Sequence, residues 1–101
     1  MPRTATADHV DLRTLIEFLR PRHRGLLVTR RSDGSPQVSP VTCGVEAGGR
    51  IVVATYPGRA KTHNARRDPR VSMCVLSDDW NGPYVQVDGT AEVLDLSLIH
   101  I

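Results

Sequence analysis

Two glycine-containing turns constrain the fold of this chain more than any other feature of its sequence. Asp-Gly at 33–34 and Ala-Gly-Gly at 47–49 separate runs rich in β-branched residues at 26–29, 37–45 and 50–56. Glycine adopts the positive φ that tight turns need, so such turns between β-rich runs are strong hairpin signals. The sequence therefore predicts an antiparallel meander of three strands.

The second strand of this meander contains Pro40, which cannot donate a backbone hydrogen bond. We therefore expect the strand to be bulged around Ser39 and Pro40 or to lie at an edge of the sheet. A bulge there could direct groups toward a ligand, whereas an edge proline would need no function.

Two more strands follow in the second half of the chain. Residues 71–76 are apolar nearly throughout and are expected to be buried on both faces. Residues 84–93 alternate between apolar and polar, which predicts one long strand with a bend at Gly89. Five strands joined by tight turns predict a mainly-β fold, an antiparallel barrel with a Greek-key element, because closure removes exposed edges.

Two helices are expected beside the strands. In residues 11–20 the apolar positions recur every three or four residues, which indicates a helix that Pro21 ends. The polar segment between Pro57 and Pro69 predicts a short crossover helix.

Length and composition favour one globular domain. The chain has 101 residues, of which 40% are apolar and 24% charged, so a packed core is expected. We predict that residues 10–95 form this domain and that residues 1–9 are disordered. Residues 96–101 contain apolar side chains with no obvious partner, and we expect them to be a non-native tail.

Several classes of protein and site are disfavoured. A net charge of +2 is too small for bulk binding of nucleic acid. Cys43 and Cys74 lie far apart, which predicts free thiols, and no group of His and Cys residues has metal-ligand spacing. No apolar run is long enough for a membrane helix, and no secretory signal is recognisable, so we expect a cytoplasmic protein.

The basic side chains are concentrated in one segment. Residues 59–70 hold five of the 13 basic side chains: Arg59, Lys61, Arg66, Arg67 and Arg70. The start of a helix presents unpaired N–H groups and a partial positive charge, which favour phosphate. Gly58 would let a ligand approach the backbone closely.

Helical geometry divides this basic segment between two faces. On a helix that starts near Gly58, one face holds Arg59, His63 and Arg66, and another holds Lys61 and Asn64. One ligand therefore cannot contact all of the cations. A solvated helix face remains the alternative to a phosphate site.

Residues 23–93 resemble the pyridoxamine-phosphate-oxidase-like split-barrel flavoproteins, and most closely their deazaflavin-using branch from actinobacteria. The resemblance is carried by the strand pair Gly25-Leu-Leu-Val-Thr29 and Gly34-Ser-Pro-Gln-Val-Ser-Pro40, and by Arg59-Ala-Lys-Thr-His-Asn-Ala-Arg-Arg-Asp-Pro-Arg-Val-Ser72. It implies a split β-barrel that forms a homodimer, with the cofactor at the subunit interface.

The same resemblance implies a set of cofactor-binding residues. Arg59 and Lys61 would hold the cofactor phosphate beside Gly58. Asn64 would steady the start of the helix. Six further residues would line the cofactor: Ser39, Pro40, Val41 and Thr42 along the ring, and Ala54 and Thr55 beside the ribityl chain. Trp80 would either reach across the dimer interface or plug the end of the barrel.

The function implied is oxidoreduction with the deazaflavin coenzyme F420, by hydride transfer to a small conjugated substrate, with FMN as the alternative cofactor. The cofactor carries such chemistry, and no catalytic residue stands out. Proteins of this kind continue through a helix and further strands, so we expect this chain to be truncated at its C-terminus. A non-catalytic cofactor-binding protein or a nucleic-acid-binding barrel are the other hypotheses. The latter is disfavoured because single-strand binders need aromatic stacking platforms, and aromatics are only 4% here.

Overall fold

A computed structural model describes residues 12–55, 58–94 and 98–101. Its elements, in chain order, are α1 (Leu12–Leu19), β1 (Arg24–Arg30), β2 (Pro36–Val45), β3 (Ile51–Ala54), α2 (Ala60–Arg67), β4 (Arg70–Leu76), β5 (Tyr84–Thr90), β6 (Glu92–Leu94) and β7 (Leu98–His100). The strands form one sheet in the order β5-β4-β1-β2-β3-β7-β6, and every pairing is antiparallel. No helix in these described ranges is long and apolar enough to span a bilayer.

The predicted meander of three strands is confirmed. β1 pairs with β2 and β2 pairs with β3. Gly34 and Gly49 both have φ of +87°, a conformation that glycine adopts without steric cost. The two turns that the sequence predicts therefore set the register of the first half of the sheet.

Pro40 lies at an edge. β2 keeps an unbroken register with β1 from Pro36 to Thr42, and it pairs with β3 only from Cys43 onward. The first seven residues of β2 therefore pair with β1 along one edge, and along the other edge they pair with no strand among the described residues. The edge alternative is confirmed, and Pro40 interrupts no register with β1.

The strand predicted at 84–93 is two strands. β5 ends at Thr90 and pairs with β4 at one end of the sheet, whereas β6 starts at Glu92 and pairs with β7 at the other end. Only Ala91 separates them, and its N–H donates to the carbonyl oxygen of Pro69 at 2.7 Å. A continuous segment can join the two ends only if the sheet curls round, which gives the split β-barrel. Gly89, one residue before the end of β5, lies near this corner as predicted.

The expectation that the last residues lack apolar partners is wrong. β7 pairs with both β3 and β6, with Ile99 opposite Val53 on one side and Val93 on the other. Ile99 is fully buried. The predicted disordered segment 1–9 and residues 95–97 lie outside the described residues.

The core fills the inside of the curled sheet with inward-facing side chains of β1, β2, β3, β4 and β7, one residue from each helix, and Ala91 between β5 and β6. Its members share exposures below 9%: Leu19, Leu27, Cys43, Ile51, Val53, Ala65, Val71, Met73, Val75, Ala91 and Ile99. Helix α1 covers one side through Leu19. A Cβ on Gly25 would lie 2.9 Å from the carbonyl oxygen of Cys74 and would overlap Met73, so β1 and β4 pack closely only because this residue is glycine.

The outward face of β4 is not fully covered, contrary to the sequence prediction. Val71, Met73 and Val75 are buried, but the alternate residues, Ser72, Cys74 and Leu76, are only half-buried. Cys43 and Cys74 are free thiols, as expected, and burial raises the pKa of each. The single chain therefore leaves an apolar sheet surface facing outward.

Candidate functional site

The start of helix α2 is the centre of the candidate site. Arg59 is the N-cap residue, and its side chain makes no capping hydrogen bond. Arginine carries no acceptor, so it cannot satisfy the N–H groups of the first turn as Ser or Asp would. The carbonyl oxygen of Arg59 accepts from the N–H groups of Thr62 and His63, at 3.1 and 3.2 Å. The N–H groups before Thr62 belong to the first turn, where helix geometry supplies no acceptor.

The predicted division of the basic side chains between two faces is confirmed. Arg59, His63 and Arg66 are exposed, whereas Lys61 is half-buried. Gly58 is exposed, and no atom lies within 4 Å of the position that a Cβ would take there. The helix start is therefore open to a ligand, with Arg59 on one side and Lys61 on the other.

The inner face of α2 is held by polar contacts. Asn64 is 6% exposed. Its side-chain Nδ2 donates to Thr29 Oγ1 at 3.2 Å and to Gln37 Oε1 at 2.8 Å, and its Oδ1 accepts from Arg67 at 2.8 Å. Asn64 therefore ties the second half of the helix to β1 and β2. The expectation that Asn64 steadies the helix start stays a prediction, and its amide contacts the sheet.

The first half of α2 is tied down by a pair of buried threonines. Thr55 Oγ1 and Thr62 Oγ1 lie 3.2 Å apart, and the two residues are 8% and 1% exposed. Thr55 directly follows the exposed Ala54 at the end of β3. Tyr56 and Pro57, which complete the connection, lie outside the described residues.

The end of α2 is closed by an ion pair between Asp68 and Arg70. Asp68 accepts from the backbone N–H and the guanidinium of Arg70, the closest contact being 2.7 Å. These hydrogen bonds lower the pKa of Asp68 from 3.8 to about 2. Arg67 donates to the carbonyl oxygen of Arg30 at 2.8 Å. Arg67 and Arg70 thus make contacts within the chain at this end of the helix.

The β2 residues expected to line a ring alternate across the strand. Ser39 is buried and Val41 half-buried, whereas Pro40 and Thr42 are exposed. A ring lying on one face of the strand could not contact all four residues. A ring lying along the open side of β2 could contact residues from both faces.

Sequence reasoning missed Thr29 and Gln37, the partners of Asn64. Thr29 is fully buried although it is polar. The two-residue periodicity of β1 already indicated its burial, since Thr29 follows Gly25 and Leu27 on the inward face of the strand. A hydroxyl at an inward position needs a buried partner, and only the folded chain shows which one.

Trp80 does not plug the barrel. It lies in the loop between β4 and β5 and is 85% exposed. Tyr84, at the start of β5, is 58% exposed. The plug alternative is therefore wrong, and the aromatic side chain faces outward. Within the described ranges, no three His, Cys, Asp or Glu residues are placed to hold a metal ion.

Comparison with known proteins identifies the family. The family model for pyridoxamine 5'-phosphate oxidase matches residues 13–97. The chain belongs to the pyridoxamine 5'-phosphate oxidase family. This family comprises flavin-binding oxidoreductases with the split-barrel fold that the sheet order shows here.

Solved structures of related proteins agree with this family. A conserved hypothetical protein from Mycobacterium tuberculosis superposes with a TM-score of 0.74 at 28% identity, over 92% of this chain and 59% of that one. An F420 reductase superposes with a TM-score of 0.64 at 31% identity, over 74% of this chain and 58% of the reductase. An FAD-binding protein from Mesorhizobium loti superposes with a TM-score of 0.68 at 27% identity, over 86% of this chain and 64% of that protein. The chain thus spans less than two thirds of each of these three proteins.

Proposed function

We propose that this member of the pyridoxamine 5'-phosphate oxidase family uses the deazaflavin F420 for hydride transfer to a small conjugated substrate. The observation that carries the proposal is the start of α2, an uncapped helix end between Arg59 and Lys61. An anion bound there would accept hydrogen bonds from the first-turn N–H groups and lie between the positive charges of Arg59 and Lys61. The bound cofactor would supply the hydride chemistry, and this chain would supply position and charge.

The residues present fit a phosphate-bearing flavin. Gly58 leaves the backbone open, Arg59 offers a planar fork of donors, and Lys61 offers a compact charge. Ala54 and Thr55 lead into the helix start and would flank the ribityl chain. The open side of β2 at Ser39, Pro40, Val41 and Thr42 would receive the ring.

The exposed row on α2 supports F420 over FMN. Arg59, His63 and Arg66 lie on one face that points away from the barrel. The tail of F420 adds carboxylates to the phosphate, and this row would attract them, whereas FMN has no such tail. The 31% identity to an F420 reductase supports the same choice. FMN remains the alternative, because the family is one of flavin-binding proteins.

We place the cofactor at the interface of a homodimer. The outward face of the sheet supports this assembly, because Val38 is 57% exposed and lies beside the half-buried Val28 and Leu26. A groove of about 540 Å³ continues from Val28 along this face, past Arg30, Arg70, Ser72 and Asp88. An apolar patch with both charge signs at its border suits a self-complementary contact with a second copy.

The direct test is titration of the purified chain with F420 and with FMN, followed by fluorescence and calorimetry. We expect Arg59→Ala and Lys61→Ala each to weaken binding by about tenfold or more, since a charge-assisted contact contributes ~1.5 to 3 kcal/mol. Arg20→Ala is the matched control, an exposed arginine near the end of α1. Unchanged affinity in both site variants would mean that the face is merely solvated. Binding of neither cofactor below roughly millimolar concentration would refute the enzyme hypothesis.

A second titration separates the two cofactors. Arg66→Ala should weaken F420 binding by about threefold to tenfold and leave FMN binding unchanged, because only F420 carries the extra carboxylates. An equal loss for both cofactors would contradict the assignment of the exposed row to the tail.

The homodimer is tested separately by sedimentation. Val38→Lys puts a charge into the outward apolar face and should shift the protein toward the monomer. Glu17→Lys on α1 provides the matched surface change. A monomeric wild-type protein, with or without cofactor, would contradict the assembly.

A further inference from the structure

Helix α2 is unusual in having almost no apolar side chain with which to pack. Its sequence is Ala-Lys-Thr-His-Asn-Ala-Arg-Arg, and its buried residues are Thr62, Asn64 and Ala65. A helix of eight residues is marginal by itself, and most helices in proteins are stabilised by a buried apolar face. The orientation of α2 must therefore depend on its polar contacts with the sheet.

Thr62 contacts Thr55 and Arg67 contacts the Arg30 carbonyl oxygen, whereas Asn64 contacts two strands at once. Asn64 uses both N–H bonds of its amide, to Thr29 and Gln37, and its oxygen accepts from Arg67. Thr29 and Gln37 are opposite each other in the register of β1 and β2. The amide therefore bridges two strands and fixes the helix relative to both. We call these four residues, Asn64, Thr29, Gln37 and Arg67, the Asn64 network.

The geometry points to Thr29 and Gln37 as positioning residues for the phosphate site, an inference that rests on the proposed function. Neither residue lies at the helix start. Both act through Asn64, which is three residues after Lys61 and therefore on the same side of the helix. A tilt of α2 away from β1 and β2 would move Lys61, Arg59 and the first-turn N–H groups together. Phosphate affinity depends on their common geometry.

The Asn64 network depends on hydrogen-bond acceptors at Thr29 and Gln37, a hydroxyl oxygen and an amide oxygen. Thr29 is fully buried, so its hydroxyl has no access to water and depends on Asn64. Valine at this position would keep the shape and remove the acceptor. Methionine in place of Gln37 would keep the length and remove the acceptor, whereas glutamate would retain an acceptor. These substitutions separate the hydrogen bonds from the packing.

The experiment measures amide hydrogen exchange in α2 and cofactor affinity in the same variants. In the double variant Thr29→Val with Gln37→Met, we expect exchange of the α2 amides to rise by about tenfold. FMN affinity should fall about fivefold or more, and affinity for riboflavin, which lacks the phosphate, should change less than about twofold. Gln37→Glu should retain FMN affinity within about twofold of wild type.

The matched control is Ser35→Ala, which removes a side-chain hydrogen bond to Asp33 in the turn between β1 and β2. It should leave both α2 exchange and FMN affinity unchanged. Unchanged α2 exchange in the double variant would overturn the inference. Equal losses of FMN and riboflavin affinity would also overturn it, because they would indicate general loosening of the fold. If the wild-type chain bound neither FMN nor F420, the proposed function would be wrong, and the exchange data alone would still decide whether the network holds α2.

Discussion

The two faces of helix α2 differ in almost every physical respect, although they share eight residues. The inner face buries Thr62, Asn64 and Ala65 against the barrel, and its polar groups are paired within the chain. The outer face exposes His63 and Arg66 to solvent. One short basic motif therefore contains a structural half and a half that is open to a ligand. Substitutions on the inner face should change stability and, through the position of the helix, binding. Those on the outer face and at the helix start should change binding with little effect on stability.

The largest effect should come from Asn64→Leu. The substitution removes three hydrogen bonds and leaves the buried Thr29 hydroxyl without a partner, so we expect a loss of about 3 kcal/mol in the free energy of unfolding. Chemical denaturation measures it. His63→Leu is the matched control, since it introduces the same residue on the outer face of the same helix, where the change should stay within about 0.5 kcal/mol. Equal losses in the two variants would remove the distinction between the faces.

Thr62→Val should have an intermediate effect. It removes the buried hydroxyl that lies 3.2 Å from Thr55 Oγ1 and preserves the shape, so a loss of about 1 kcal/mol is expected in the same denaturation assay. Thr55→Val tests the other end of this contact, and the double variant should lose less stability than the sum of the two single losses. Additive losses would show that the two hydroxyls do not stabilise the fold through their mutual contact.

The smallest effect should be the pH dependence of folding stability that the Asp68–Arg70 pair causes at the end of α2. The pKa of Asp68 is lowered to about 2, chiefly by its hydrogen bonds from Arg70. A lowered pKa means that the ionised carboxylate stabilises the folded chain above its unfolded value near 3.8 and that this contribution is lost as the pH falls toward 2. The difference in unfolding midpoint between wild type and Asp68→Asn should therefore be constant above about pH 5 and shrink below about pH 4. Arg70 is largely exposed, so solvent screening keeps the effect small. A difference that grew on acidification would contradict the ion pair.

Much of the candidate site follows from local sequence. The spacing of Arg59, Lys61, His63 and Arg66 is enough to assign each to its side of a helix, because helical periodicity depends only on neighbouring residues. The roles of Asn64 and its partners could not be predicted in this way. Thr29 and Gln37 lie 35 and 27 residues from Asn64, and no local pattern joins them.

The sequence by itself determined the three-stranded meander, both helices and the basic helix start, since turn chemistry and periodicity are local properties of the chain. Only the tertiary structure decided that residues 84–94 divide at Ala91 between opposite ends of the sheet, and that Ile99 is buried between β3 and β6. It also decided that Arg67 contacts the Arg30 carbonyl oxygen and that Arg59 and Arg66 are exposed. Those outcomes depend on the closure of the sheet, which brings together residues far apart in the sequence. Such long-range contacts produce no periodic pattern in the sequence from which they could be predicted.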